Sequence, residues 1–160
     1  MSNTDTDDAR FEDGREAPLN LGALDRDDLQ ILSSLAQDAV FPITEMKWDA
    51  KARRFGLLLN RFRWEDAASA RHTPERVQSV LAFDTVLRVS SHGIDRADTD
   101  TILSLLSVSF EAGEDGAGDI LLTLAGDGAI RLSVETIEAT LKDVTKPYVA
   151  PSRSVPRHDD

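Results

Sequence analysis

The clearest pattern in the chain is the alternation of apolar and polar residues over residues 75–91. Val77, Leu81, Phe83, Leu87 and Val89 fall on one face at a period of two, and Arg76, Gln78, Asp84 and Arg88 fall on the other. Because successive side chains of a strand point to opposite faces, this pattern predicts a β-strand. The segment is long for one strand, so we expect a bend or a bulge within it.

Further strands are predicted on both sides of this segment. Residues 43–48 ("ITEMKW") and 54–64 ("RFGLLLNRFRW") flank the polar stretch "DAKARR", which is typical of a hairpin. The segments "ILLTLA" and "AIRLSV", joined by "GDG", predict a second hairpin, and the acidic "GEDGAGD" (113–119) is interpreted as a hairpin loop. Residues 101–111 are predicted as a strand from their alternating end "SVSF", although 101–107 also fit a short helix.

Two segments predict helices. In "LDRDDLQILSSLAQDAV", Asp25 can cap the amide of Asp28, and the helix should end near Asp38 because Pro42 cannot continue it. In "SVETIEATLKDV" (133–144), Ser133 is the predicted cap of a C-terminal helix. Its predicted buried face consists of Val134, Ile137, Leu141 and Val144.

This order of elements predicts an α+β fold. We expect a bent antiparallel sheet or partly open barrel of about six strands, with an N-terminal helix and a C-terminal capping helix. In element order it resembles a pleckstrin-homology-like roll. Residues 1–17 are predicted to be a disordered acidic tail, residues 18–149 a single domain, and residues 150–160 a flexible, proline-rich tail.

Composition excludes several classes of chemistry. The 160 residues include no cysteine, which excludes thiol catalysis, disulfides and cysteine-ligated zinc. The start of the chain has no apolar signal segment, and no run of about 18 apolar residues occurs, so we expect a cytoplasmic protein without a membrane span. The formal net charge of −11 argues against binding to nucleic acid or anionic lipid.

The charge is unevenly distributed along the chain. Residues 1–46 hold 3 basic and 11 acidic side chains, residues 47–88 hold 9 and 5, and residues 89–160 hold 6 and 13. The middle of the chain is therefore cationic, at +4. Its densest part is "NRFRWED" (60–66), and the candidate binding residues are Asn60, Arg61, Arg63, Trp64, Arg71, His72 and Arg76.

These residues support two interpretations. In the functional one, the guanidinium groups of Arg61 and Arg63 bind a carboxylate or a phosphate of a ligand or partner. In the structural one, they pair with Glu65, Asp66, Glu75 or Asp84, while Phe62 and Trp64 belong to the core.

A second segment of interest is "SSHGIDRADTD" (90–100), which contains His92 and three aspartates. It lacks the calcium-loop pattern, so we expect turn and capping roles for the aspartates, with no metal and no cofactor. The histidines form no H-x-x-x-H pair, and no catalytic constellation is recognisable.

Several segments together resemble an uncharacterised proteobacterial family described only as a domain of unknown function: "LDRDDLQILSSLAQDAV", "RFGLLLNRFRWED", "FDTVLRVSSHGIDRADTD", "ILSLLSVSFE" and "GAIRLSVETIEATL". The resemblance covers about residues 19–145. It implies no activity and supplies no catalytic residue.

Our leading hypothesis is a non-enzymatic binding or adaptor domain whose basic central hairpin contacts an acidic protein partner. That partner could be a second copy of the chain. The alternative is a binder or enzyme that holds an anionic metabolite with the arginine cluster.

Overall fold

The computed structural model describes residues 17–66, 75–145 and 148–149. Nearly all of the predicted acidic tail and the whole of the predicted C-terminal tail lie outside this part of the chain. The proposed domain boundaries therefore stay predictions. Among the described residues, no helix has the length and apolar character needed to cross a membrane.

The described residues form strands along most of their length and a single α-helix. The elements in chain order are β1 (Asn20–Ala23), α1 (Arg26–Leu35), β2 (Val40–Pro42), a 3-10 turn (Ile43–Glu45), β3 (Met46–Asp49), β4 (Arg54–Phe62), a second 3-10 turn (Trp64–Asp66), β5 (Glu75–Phe83), β6 (Val86–His92), β7 (Ile102–Ala112), β8 (Gly118–Leu124), β9 (Ala129–Val134), β10 (Ala139–Asp143) and β11 (Tyr148–Val149).

The strands are joined in one antiparallel ladder. Its order is β1-β10-β5-β4-β2-β7-β8-β9-β6, while β3 pairs with β4 and β11 pairs with β5. The ladder bends so that its two halves share one core, to which β4, β5 and β10 contribute from one half and β7, β8 and β9 from the other. Within the described residues, β3 and β6 each have a strand partner on one side only.

The fold prediction was wrong in class, because the structure is mostly β rather than α+β. The predicted C-terminal helix is instead the end of β9, a turn and β10. Ala139, Leu141 and Asp143 are buried while Thr140 and Lys142 are exposed, which is the alternation of a strand. The apolar positions 137, 141 and 144 also fit a helical period, and the burial of an aspartate concealed the period of two.

The long predicted strand over 75–91 is divided into β5 and β6. Thr85 has a φ of 57°, in the left-handed region, and the pairing of β6 with β9 shifts between Val86 and Arg88. This bend and irregularity move Val86 into the core and leave Leu87 exposed, the reverse of the predicted alternation.

The local predictions for α1 and the hairpins are confirmed. The side chain of Asp25 accepts a hydrogen bond from the Asp28 amide at 2.8 Å, although the helix ends at Leu35, three residues before the predicted end. The β3–β4 and β8–β9 hairpins form, although residues 43–45 of the first predicted strand are a 3-10 turn. Gly126 and Asp127 have positive φ in the second turn. Residues 102–112 are a strand.

Helix α1 protects part of β7. In its C-terminal half, β7 pairs with β8, and on its other side the amide of Val108 donates to the Ser33 hydroxyl of α1 at 2.8 Å. The helix thus covers an edge that would otherwise be open to pairing with another chain.

The strand assignment of β10 can be tested by two substitutions. Leu141→Ala should lower the free energy of unfolding by about 2–5 kcal/mol, because Leu141 is fully buried. Val144→Ala should change it by no more than about 0.5 kcal/mol, because Val144 is 49% exposed just after the strand. Urea unfolding followed by circular dichroism measures both, and equally large losses would favour the helix that the sequence suggested.

Candidate functional site

The stretch 60–66 lies at the end of β4, and its first arginine is directed into the protein. Arg61 falls on the same side of β4 as Leu57 and Leu59, and it has no exposed surface. The buried face of β4 is therefore apolar at Leu57 and Leu59 and carries a guanidinium group at Arg61. Such a group is stable only when its charge and its hydrogen bonds are satisfied.

All five N–H donors of Arg61 have acceptors. Nη1 donates to Glu65 Oε1 at 2.8 Å and to the Phe62 carbonyl at 3.1 Å, and Nη2 donates to Glu65 Oε2 at 2.8 Å and to Asp143 Oδ1 at 2.9 Å. Nε donates to the Ser79 hydroxyl at 3.0 Å. An external anion would have to displace a carboxylate of the protein in order to bind here.

This arrangement, which we call the Arg61 network, connects neighbouring strands. Ser79 on β5 lies opposite Asp143 on β10, and the Ser79 hydroxyl donates to Asp143 Oδ1 at 2.7 Å. The other oxygen of Asp143 accepts from the Leu19 amide at 2.8 Å, just before β1. One aspartate therefore connects β1, β10, β5 and β4 at one end of the sheet.

The network shifts the pKa of two of its members. Burial by itself would raise the pKa of Glu65, but the hydrogen bonds and charge of Arg61 outweigh it, so the pKa of Glu65 is below its usual value. For Arg61, burial opposes the charged form, and the bonds to Glu65 and Asp143 still raise its pKa. Both groups are charged at neutral pH.

The other candidate residues of this stretch are also held by the protein. Arg63 is buried and its Nη1 donates to Glu75 Oε1 at 2.9 Å. The guanidinium of Arg76 lies 4.0 Å from the centre of the Phe62 ring, and its Nη1 donates to the Asn60 side chain at 3.1 Å. The Trp64 indole donates to the Gln37 carbonyl at 2.8 Å, beyond the end of α1.

Of the candidate residues, the structure thus brings Asn60, Arg61, Arg63, Trp64 and Arg76 together as one packed cluster. Arg71 and His72 lie outside the described residues. The pairs Arg61–Glu65 and Arg63–Glu75 are those of the structural interpretation. Sequence reasoning missed Asp143, which is 82 residues from Arg61 and which only the strand order brings beside it.

A cavity lies at the opposite end of β4, about six residues or 20 Å from Arg61. We call it the β3–β6 cleft, and its volume is about 210 Å³. Its described lining residues are Ile43, Thr44, Met46, Trp48, Phe55, Val89, Ser91, Arg96 and Ile130.

The cleft is a consequence of the open ladder. Met46 and Trp48 are two residues apart on β3, and Val89 and Ser91 are two residues apart on β6. Residues at this spacing share one face of a strand, so each strand turns one face towards the cavity. Because neither strand has a further strand partner among the described residues, the space between them is not filled by a sheet.

Arg96 belongs to the loop between β6 and β7, whose aspartates serve the turn. Asp95 Oδ1 accepts from the Ala97 amide at 3.0 Å, and Asp98 Oδ1 accepts from the Asp100 amide at 3.3 Å. The predicted turn roles are confirmed for these two residues. Within the described ranges, no three acidic or histidine side chains are grouped as metal ligands would be.

Sequence reasoning missed the cleft. The segment 90–100 was interpreted for its histidine and its acids, whereas Ser91 and Arg96 are the residues of this segment that line the cavity. The available signal was a single cation in an otherwise acidic loop. The sequence offered nothing comparable for Ser91 or Trp48.

The sequence model of the family described as "Protein of unknown function (DUF2948)" matches residues 19–158. The chain belongs to this family. No curated protein and no solved structure matches it. The DUF2948 match covers every element described above, so both the Arg61 network and the β3–β6 cleft lie within the family domain.

The Arg61 network should dominate the effect of charge substitutions on stability. Asp143→Ala leaves the buried guanidinium without one of its carboxylates and should lower the free energy of unfolding by about 3–5 kcal/mol. Glu135→Ala removes the exposed ion pair with Arg53 and should cost no more than about 1 kcal/mol. Urea unfolding of the two variants gives the comparison, and similar losses would contradict a central role for the network.

The same network predicts an acid dependence of stability. The pKa of Glu65 is lower in the folded state than the ordinary glutamate pKa of about 4.5. As the pH falls below that ordinary pKa, the unfolded chain therefore binds more protons than the folded chain does. The free energy of unfolding should therefore decrease from that pH down through the folded pKa. Glu65→Gln, which titrates in neither state, should show a shallower decrease in urea unfolding measured from pH 6 to pH 3, and superimposable profiles would refute the assignment.

Proposed function

We propose that this DUF2948 chain is a non-enzymatic binding domain that takes a small organic ligand in the β3–β6 cleft. The observation that carries the proposal is the cleft itself, a concave space of about 210 Å³ between two strands. Small-ligand sites combine a mostly apolar lining with a few polar groups that orient the ligand. In this cleft, Ile43, Met46 and Val89 contribute to the apolar lining, and the hydroxyls of Thr44 and Ser91 are polar groups that can orient a ligand.

A binding role fits the lining better than catalysis. Its described residues include no carboxylate and no histidine, so a general acid or base of the common kinds is not supplied there. The Arg61 network holds two carboxylates, but both are engaged by the buried Arg61, and the network lies at the other end of β4.

The hypothesis that an acidic protein partner binds the basic hairpin stays a prediction. Fewer arginines of the hairpin region are exposed to such a partner than the sequence suggested. Arg61, Arg63 and Arg76 are buried. At the surface, Arg53 pairs with Glu135, and Arg54 pairs with Asp84. We therefore prefer the cleft as the site of binding.

Filling the cleft tests the proposal. A panel of small metabolites is screened by thermal shift, and a ligand present at 100 times its Kd should stabilise the wild type by about 2.7 kcal/mol, seen as a higher Tm. Ser91→Phe should abolish this shift, because the added ring occupies the cavity.

Ser90→Phe is the matched control, because Ser90 is an exposed neighbour on the same strand that does not line the cleft. It should retain the shift. Binding should also change the fluorescence of Trp48, which is 38% exposed in the cleft, and this change should be absent from Trp48→Phe. A ligand that binds Ser91→Phe as well as it binds the wild type would overturn the site.

A further inference from the structure

The charge within the β3–β6 cleft narrows the class of ligand, given the function proposed above. Arg96 is the one charged side chain among the described residues that line the cavity. No carboxylate of the described chain lines it. The cleft therefore presents a positive group beside apolar walls, in a protein whose formal net charge is −11.

Arg96 also differs from most of the other arginines in its partners. Arg53, Arg54, Arg61, Arg63 and Arg131 each have a carboxylate within 4.0 Å. Arg96 has none among the residues that the structure describes. The nearest acids in sequence, Asp95 and Asp98, accept hydrogen bonds from amides of their own loop.

We infer that the cleft binds a small monocarboxylate, with its carboxylate at Arg96 and its apolar body against Trp48, Met46 and Ile130. A guanidinium matches a carboxylate with two parallel hydrogen bonds. The hydroxyls of Thr44 and Ser91 are further donors in the lining. A single cation suits one negative charge better than the two of a phosphate monoester.

The volume limits the size of this ligand. Pockets for drug-sized molecules span about 300–1,000 Å³. A cavity of about 210 Å³ suits a compact body such as one aromatic ring or a short branched alkyl chain. Trp48 and Phe55 offer such a body aromatic contacts.

The test compares carboxylic acids with their own amides. Phenylacetate, indole-3-acetate and 4-methylpentanoate are each titrated beside the matching carboxamide, with Trp48 fluorescence and calorimetry at low salt. The amide keeps the body and the shape but removes the charge. We expect at least one acid to bind the wild type about tenfold more tightly than its amide.

Variants assign this preference to one side chain. Arg96→Gln should remove the preference for the acid while leaving the affinity for the amide unchanged, and Arg96→Lys should keep part of it. Arg88→Gln is the control, because Arg88 lies on β6 but does not line the cleft, and its Nη2 donates to the Ser133 hydroxyl. It should behave as the wild type does.

The outcomes separate this inference from the proposed function. Equal affinities of acid and amide for the wild type, or a preference that persists in Arg96→Gln, would overturn the carboxylate inference and leave the cleft as a ligand site. Binding of no member of the three pairs to the wild type would overturn the inference as well. The metabolite screen with Ser91→Phe then decides separately whether the cleft binds any ligand.

Discussion

The arrangement of the first half of the sheet depends on the burial of one arginine. Arg61 has no exposed surface, and a charge in that position is tolerated only if the surrounding strands bring carboxylates and hydroxyls to it. Asp143 from β10 and Ser79 from β5 do so, and Asp143 also receives the amide before β1. A shift of register by one residue in any of these strands would move a partner to the opposite face and leave the guanidinium buried and unsatisfied.

The second constraint is the bend that leaves the ladder open. Thr85 in the left-handed region directs the chain from β5 into β6, which pairs with β9 in the other half of the sheet. On the opposite side, β2 pairs with both β4 and β7 and so links the two halves. Among the described residues, β3 pairs only with β4 and β6 pairs only with β9, and the cleft lies between the unpaired sides of these two strands.

The Arg61 network and the proposed ligand site thus lie at opposite ends of β4. At one end, Arg61 pairs with Glu65 and the distant Asp143, and Arg63 pairs with Glu75. At the other end, Arg96 is the one charged residue among the described residues that line the cleft, beside apolar walls. Membership of DUF2948 gives neither region a function, so the assignment depends on their geometry alone.

The sequence by itself determined the local features of this protein: the cap at Asp25, the β3–β4 and β8–β9 hairpins, and the turn roles of Asp95 and Asp98. Each depends on residues close together in the chain, so local patterns report them. Tertiary structure decided the rest. Residues 139–143 are a strand because they pair with β1 and β5, and strand order decided that Arg61 meets Asp143 while Arg96 lines the cleft. Contacts between residues so distant in sequence leave no periodic signal, because their energies exist only once the strands have paired.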